Sequence, residues 1–364
     1  KIAIPAPALF GQFNNLDDID IVLTGLKQMG FDDVYEVSRG AELVSDATRK
    51  LMADGRLPKP VISSACPAVV RLIRVRFPDL CDHVLNLNAP MEVSAMMAKR
   101  AASERTGIPI EEIGAFFITP CPAKVTDIKM PIGTEGSWCD GAIAISEVFP
   151  LLSHRMDKLE TVEPIGQSGL IGVSWAGSGG ESAALLNEKY LAADGIENVI
   201  RVLEELEDER IRELDFVELN ACSGGCVGGV LCVENGYVAK ARLQRLRKYL
   251  PVSQNHLDGG VPRDMEWTEP LEFAPVLKLS QNLEEAMQMM EEIDVICEGL
   301  PGLDCGSCGA PSCRALAEDV VRGAARTSDC VFVMREQVKN VADTLSSIGG
   351  YVPSYLDSKE KQGN

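Results

Sequence analysis

The sequence predicts an α/β protein with two lobes of mainly parallel sheet and flanking helices, followed by a small helical C-terminal domain built around cysteines. Three observations predict it. Short β-rich runs alternate with segments of helical periodicity through most of the chain, the signature of parallel layers. Three of these runs end just before a cysteine, at Cys66, Cys121 and Cys222, and in open parallel sheets the carboxyl ends of strands face the ligand crevice. Finally, the Gly- and Pro-containing stretch Asn255 to Pro275 separates this part from a helix and a cysteine module.

In order, the strand candidates are Ile2 to Pro5, Asp33 to Val37, Val61 to Ser64, His83 to Leu87, Ile113 to Thr119, Gly141 to Ile145, Leu170 to Val173 and Asp215 to Leu219. Helix candidates lie between them at Asp18 to Met29, Glu42 to Ala53, Ala68 to Arg76, Met91 to Thr106, Glu181 to Leu191 and Gln244 to Leu250. Leu283 to Ile296 carries apolar residues at helical spacing into the cysteine module. The expected division is 1–255, in lobes of about 1–125 and 126–255, then a linker at 256–282, a C-terminal domain at 283–349 and a polar tail at 350–364. The charge-rich stretches Glu204 to Glu213 and Arg242 to Lys248 read as solvated helix faces.

Composition narrows the function classes. A formal charge of −19 disfavours nucleic acid, whose phosphates call for a basic surface. No apolar run is long enough to span a membrane, and the start lacks the apolar stretch and cleavage site of a signal peptide, so the expectation is a cytoplasmic protein. A chain that opens at Lys1 already in a strand-like run is read as part of something longer, with room for upstream clusters. Twelve cysteines without a secretion signal argue for metal ligation rather than disulfides. Cys81, Cys139, Cys232 and Cys297 stand alone among apolar neighbours and read as free thiols. The histidines His83, His154 and His256 join no ligand pattern, and Gly177 to Gly180 lacks the lysine of a phosphate loop.

Two cysteine sets remain. Cys222-x3-Cys226 sits in a Gly-rich loop that lets the backbone pass close to a bulky inorganic group; by itself it also fits a redox couple or a chance pair. Cys66-Pro67 and Cys121-Pro122 each place a cysteine where a helix begins, an end that favours the thiolate. Lys124, three residues after Cys121, can donate hydrogen bonds to an anionic ligand held beside it. The second set, Cys305-x2-Cys308-x4-Cys313-x16-Cys330, suits a [4Fe-4S] cubane wrapped by a loop carrying Gly306, Gly309 and Pro311. Zinc competes for it, although zinc sites favour two balanced pairs and often histidine.

Together, Ser63-Ser64-Ala65-Cys66-Pro67-Ala68, Thr119-Pro120-Cys121-Pro122-Ala123-Lys124 and Glu218-Leu219-Asn220-Ala221-Cys222-Ser223-Gly224-Gly225-Cys226-Val227-Gly228-Gly229 resemble the three signature segments of [FeFe]-hydrogenases, in the family's order. The similarity runs from about Lys1 to Val230. It implies that the two lobes enclose an H-cluster, a [4Fe-4S] subcluster joined to a diiron azadithiolate unit with CO and cyanide ligands. By resemblance Cys66, Cys121 and Cys222 ligate the cubane, Cys226 ligates it and bridges to the diiron unit, Lys124 holds a cyanide, and Ala6 and Pro7 belong to the loop over the diiron site. The implied reaction is H2 in equilibrium with protons and electrons, with a redox partner or upstream ferredoxin-like clusters taking the electrons.

Three departures stand out: Ala65 replaces the family's proton-transfer cysteine, and Thr119 and Asn220 replace methionines. The family's remaining relay positions fall at Leu85, Thr48 and Leu51, which carry no acid. Glu218 and Glu181 are the candidate substitute acids. The reading that follows is a slow hydrogenase of sensory type with a signalling partner. An ordinary catalytic hydrogenase and a hydrogenase-like iron-sulfur assembly or electron-transfer protein are the alternatives.

Overall fold

The first half of the chain runs β1 (Ile2–Pro5), α1 (Ile19–Gln28), β2 (Asp33–Val34), α2 (Val37–Ala53), β3 (Val61–Ile62), α3 (Pro67–Arg76), α4 (Pro90–Thr106), β4 (Ala115–Thr119) and α5 (Pro122–Lys129). It continues through β5 (Gly141–Ala144), α6 (Ile145–Met156), α7 (Leu170–Ser174), α8 (Gly180–Ala184), β6 (Tyr190–Asp194), α9 (Ile196–Glu207), β7 (Phe216–Asn220) and α10 (Gly236–Leu246). A separate helical part contains α11 (Leu283–Glu298), α12 (Cys313–Val321) and α13 (Val331–Gly349). This computed structural model describes residues 1–274, 279–280 and 282–349, so the expected tail at 350–364 lies outside the described residues, as do 275–278 and 281 of the expected linker.

All strand pairing within the sheets is parallel. One sheet has the order β2-β1-β4-β5 and the other β3-β7-β6. The central strands of the four-stranded sheet are largely apolar because helices cover both faces: Ile2, Ala3 and Ile4 of β1 and Phe117 and Ile118 of β4 are buried. The sheets do not part near residue 125. β3 pairs with β7, and β5 pairs with β4, because parallel neighbours are joined by crossovers and need not be adjacent in sequence.

The chain divides into two compact units, Lys1–Ala274 and Pro275–Asn364. Residues 256–274, expected as linker, pack on the first unit. Met265 and Leu271 are buried, and the Trp267 N–H donates to the Asn86 carbonyl at 3.1 Å. Burial of those two apolar side chains outweighs the turn signals that surround them.

Several element expectations are corrected. Leu170 to Val173, expected as a strand, is α7; it lies so close to α2 that a Cβ on Gly172 would be 2.0 Å from the Ser38 carbonyl oxygen. A short apolar run does not tell strand from buried helix by periodicity. The helix expected over Glu181 to Leu191 stops at Ala184, because Leu186 takes the left-handed conformation at φ 55°, and β6 follows. His83 to Leu87 makes one parallel bridge, Ile62 to Val84, after a 3-10 turn. Arg242, expected on a solvated face, donates to the Gln12 carbonyl at 2.9 Å and pairs with Glu234 at 2.7 Å.

Candidate functional site

Cys66 and Cys121 are the cap residues before α3 and α5, each in extended conformation and each followed by proline. Proline fits the first helical position, where its missing N–H has no partner to lose. The Cys66 carbonyl accepts the N–H groups of Val69 and Val70, both at 3.0 Å, so helical bonding begins at the cysteine itself. Thr119 Oγ1 accepts the Cys121 N–H at 3.1 Å. β7 delivers Cys222, and the loop to Cys226 turns through Gly225 at φ 91°, where a Cβ would lie 2.4 Å from the Ser178 nitrogen. A Cβ on Gly228 would lie 2.0 Å from the Ser223 carbonyl oxygen. Only glycine allows the loop to fold this tightly.

These elements converge. Cys66, Cys121, Cys222 and Cys226 line one cavity together with Ala6, Pro7, Ala65, Lys124, Glu181 and Glu218, so every residue expected of this site meets in one place. The cavity offers about 80 Å³ of water-accessible volume, and the rest of its wall is largely apolar, with Val37, Met91, Phe117 and Trp175. Burial, then the neighbouring Cys121 and Cys66, pushes the Cys222 thiol up to about 11. Burial pushes Cys226 up further, partly opposed by Lys124. Buried thiols that raise one another are a donor set relieved by metal, which takes up thiolate charge as protons leave. Among the described residues no three His, Cys, Asp or Glu side chains close around a single ion. Thiols spread over a cavity wall suit a polynuclear cluster, in which each iron takes its own thiolate.

Lys124 Nζ donates to the Ala65 carbonyl at 3.0 Å, which holds the ammonium at the cavity wall. The Ala65 N–H donates to Ser63 Oγ at 3.1 Å, and Ser63 Oγ donates to the Glu181 carboxyl, with Oε1 at 2.8 Å and Oε2 at 2.7 Å. Glu218 accepts the N–H groups of Gly179 at 2.9 Å and Ser182 at 2.8 Å, and Asn220 Nδ2 at 2.9 Å. Both carboxyls are buried, at 6% and 3% exposure. Burial, then the charge of Glu218, raises Glu181 well above the usual carboxylate range. Ser63 escaped the sequence reading, because only its contact with Glu181, far away in the chain, gives it a role.

The positions to which the resemblance assigns a relay, Leu85, Thr48 and Leu51, lie elsewhere. Leu85 is buried among Leu43, Val44, Ala47 and Leu87, with Leu51 packed against that cluster, and Thr48 turns its hydroxyl back to the Val44 carbonyl at 2.8 Å. Apolar packing fills that region. Cys232, read as an isolated thiol, has its Sγ 3.8 Å from the Cys226 carbonyl oxygen.

In the second unit Cys305, Cys308, Cys313 and Cys330 line a single small cavity. Gly306 at φ 70° lies between the first two thiols and Gly309 at φ 93° between the second and the third. Cys313 opens α12, its N–H donating to Asp304 Oδ1 at 2.6 Å, and Cys330 is buried just ahead of α13. Hydrogen bonds from Ser307 hold the Cys305 thiol below its ordinary value.

A family model described as iron only hydrogenase large subunit, C-terminal domain, matches residues 1–193 and 181–230, and an Fe-S cluster model matches residues 300–332. The chain is 20% identical over 267 residues to iron hydrogenase 1 of Clostridium pasteurianum, covering 61% of this chain and 46% of that protein. To the cytosolic Fe-S cluster assembly factor nar1 of Aspergillus terreus it is 29% identical over 99 residues, covering 27% and 16%. Among solved structures, a variant of [FeFe]-hydrogenase HydA1 from Chlamydomonas reinhardtii aligns with a TM-score of 0.59 at 17% identity, over 76% of this chain and 94% of that one. That likeness is one of fold. The chain spans a little under half the length of the curated hydrogenases it matches.

Proposed function

The chain belongs to the iron-only hydrogenase family, and from that membership we propose that it is a slow [FeFe]-hydrogenase of sensory type. The observation that carries the proposal is the single cavity lined by Cys66, Cys121, Cys222, Cys226 and Lys124, with Glu181 and Glu218 in the same wall. The thiols of Cys66, Cys121, Cys222 and Cys226 would hold a [4Fe-4S] subcluster, and Cys226 would also hold the diiron unit. When bound, that H-cluster supplies the conversion of H2 to protons and electrons, with CO, cyanide and azadithiolate as its non-protein ligands.

The chain's own residues do the rest. Lys124 presents an ammonium donor, and the apolar wall excludes water. Glu181 holds a proton at its carboxyl, Ser63 Oγ orients that carboxyl, and Glu218, fixed by two backbone N–H groups and Asn220, supplies the charge that keeps the proton on its neighbour. A methyl group at Ala65 neither donates nor accepts a proton, so Glu181 and Glu218 replace the route that Leu85, Thr48 and Leu51 no longer offer. Slow turnover fits a protein that reports H2 or redox state, passing electrons to a redox or signalling partner in a reducing, cytoplasmic setting. The second-unit thiols hold a further [4Fe-4S] cluster.

The test is infrared spectroscopy with iron counting and an H2 assay on matured protein. CO and cyanide bands are expected, with iron lost in Cys66→Ala, Cys121→Ala and Cys222→Ala and the bands lost in Cys226→Ala. Wild-type spectra in Cys121→Ala or Cys226→Ala would refute the ligand assignment. The match to nar1 favours a second reading, an assembly-type protein with the cysteines but no diiron unit. It predicts cubane iron without CO or cyanide bands, and the ammonium of Lys124 in the cavity argues against it.

A further inference from the structure

A second cavity in the first unit, about 520 Å³, lies between α10 on one side and α7 with the segment Gly177 to Ala184 on the other. Its size falls within the roughly 300–1,000 Å³ of small-molecule sites. Four residues of one helical face line it: Lys240, Leu243, Gln244 and Arg247, at i, i+3, i+4 and i+7. The middle of the face carries Leu243 and the amide of Gln244, and its two ends are cationic, about 10 Å apart along the helix at 1.5 Å per residue. The facing wall is apolar as well, with Leu170, Val173, Ala183 and Val252.

Lys240 and Arg247 differ from Arg242, which lies between them in the chain. Arg242 is ion-paired with Glu234, whereas Lys240 Nζ donates to the Ser178 carbonyl at 3.3 Å and Arg247 to Ser174 Oγ at 3.0 Å. Among the described residues neither Lys240 nor Arg247 has a carboxylate partner, in a chain of net charge −19 where acids are abundant. Both are only half exposed. At the rim, Leu186 is held at φ 55° with its side chain 81% exposed. A leucine in that conformation is strained, and strain of this kind collects at ligand clamps. Apolar walls, an exposed apolar rim residue and two unneutralised cations describe one kind of occupant.

We propose that this cavity binds a small amphipathic anion, an oxyanion head carried on an apolar body, with Lys240 or Arg247 taking the head and Leu243, Val173, Ala183 and Leu186 covering the body. The site does not rest on the reading of the cluster cavity, but the segment from Ser174 to Ala184 contributes different residues to both. Gly179 and Ser182, whose N–H groups hold Glu218, belong to the segment between the two. An occupant therefore touches the backbone that positions the acid pair.

Calorimetric titration of the full chain tests this independently of H2 turnover. The probes are octanoate, octyl phosphate, octyltrimethylammonium and inorganic phosphate. Saturable binding of octanoate or octyl phosphate is expected, the tighter of the two identifying the head. Affinity should fall about tenfold or more in Lys240→Met/Arg247→Met, the loss of a charge-assisted hydrogen bond. Ala183→Trp, an exposed position that plugs the mouth, should abolish binding and decides the matter if the double variant melts early by circular dichroism. The proposal is overturned if neither octyl anion binds, if octyltrimethylammonium binds as tightly, if inorganic phosphate alone binds more tightly, or if the folded double variant or Ala183→Trp keeps wild-type affinity.

Discussion

At the scale of single residues, the decisive pair is Glu181 and Glu218. A carboxyl whose folded-state pKa is raised contributes stability that is fully present below its unfolded value near 4.5 and is lost as pH rises toward the folded value. Glu181→Gln removes that titration while keeping a partner for Ser63. Melting temperatures recorded against pH should therefore fall less steeply above pH 4.5 in Glu181→Gln than in wild type. The slopes should differ by up to about 1.4 kcal/mol per pH unit in unfolding free energy. The same variant should lower the H2 rate and alter its pH profile, because a placed acid is typically worth about 10² to 10⁴ in rate. Ala65→Cys restores a thiol to the cavity wall but leaves Leu85, Thr48 and Leu51 in place. A gain well below about 10² is expected; a large gain, with Glu181→Gln unchanged, would show that protons do not travel by the buried carboxyls.

At the scale of elements, the site depends on how tightly the loop after β7 is folded. Gly228 has no room for a side chain against the Ser223 carbonyl oxygen, and Gly225 combines positive φ with a close approach to Ser178. Gly228→Ala must displace backbone on one side or the other, an overpacking cost of about 1–3 kcal/mol or more. It should lower iron retention in the first unit and leave second-unit iron unchanged. Full iron content with wild-type infrared bands would show that the loop is not tuned to the cluster. The helix starts obey simpler rules. Cys-Pro at the head of α3 and of α5 is set by proline chemistry alone, which is why both positions were legible in the sequence. α6 was not: Pro150 inside it breaks the expected helical pattern, yet Ile145, Val148 and Leu152 bury on one face. Tertiary packing overrides local propensity there.

At the scale of the whole molecule, each compact unit carries its own set of four thiols. The second unit has its own apolar core, with Ile293, Leu300, Leu316 and Ala317 buried. A fragment spanning 283–349 is thus expected to bind about four irons by itself after anaerobic reconstitution, measured by iron counting and absorbance; zinc in their place would count decisively against a cubane. The sequence by itself determined the two thiol sets and the parallel α/β class, because each is written in neighbouring residues: a thiol after a strand, a proline after the thiol, glycines between thiols, cysteines at cluster spacing. Tertiary structure alone decided that β3 joins β7 rather than β1, that Leu170 to Ser174 is helical, and that 256–274 belongs to the first unit. It also decided that Ser63 meets Glu181 across 118 positions and that Lys240 and Arg247 face a second cavity with no carboxylate partner among the described residues. These features arise from contacts between segments far apart in the chain, where burial and close approach act in space and leave no periodicity in the sequence to read.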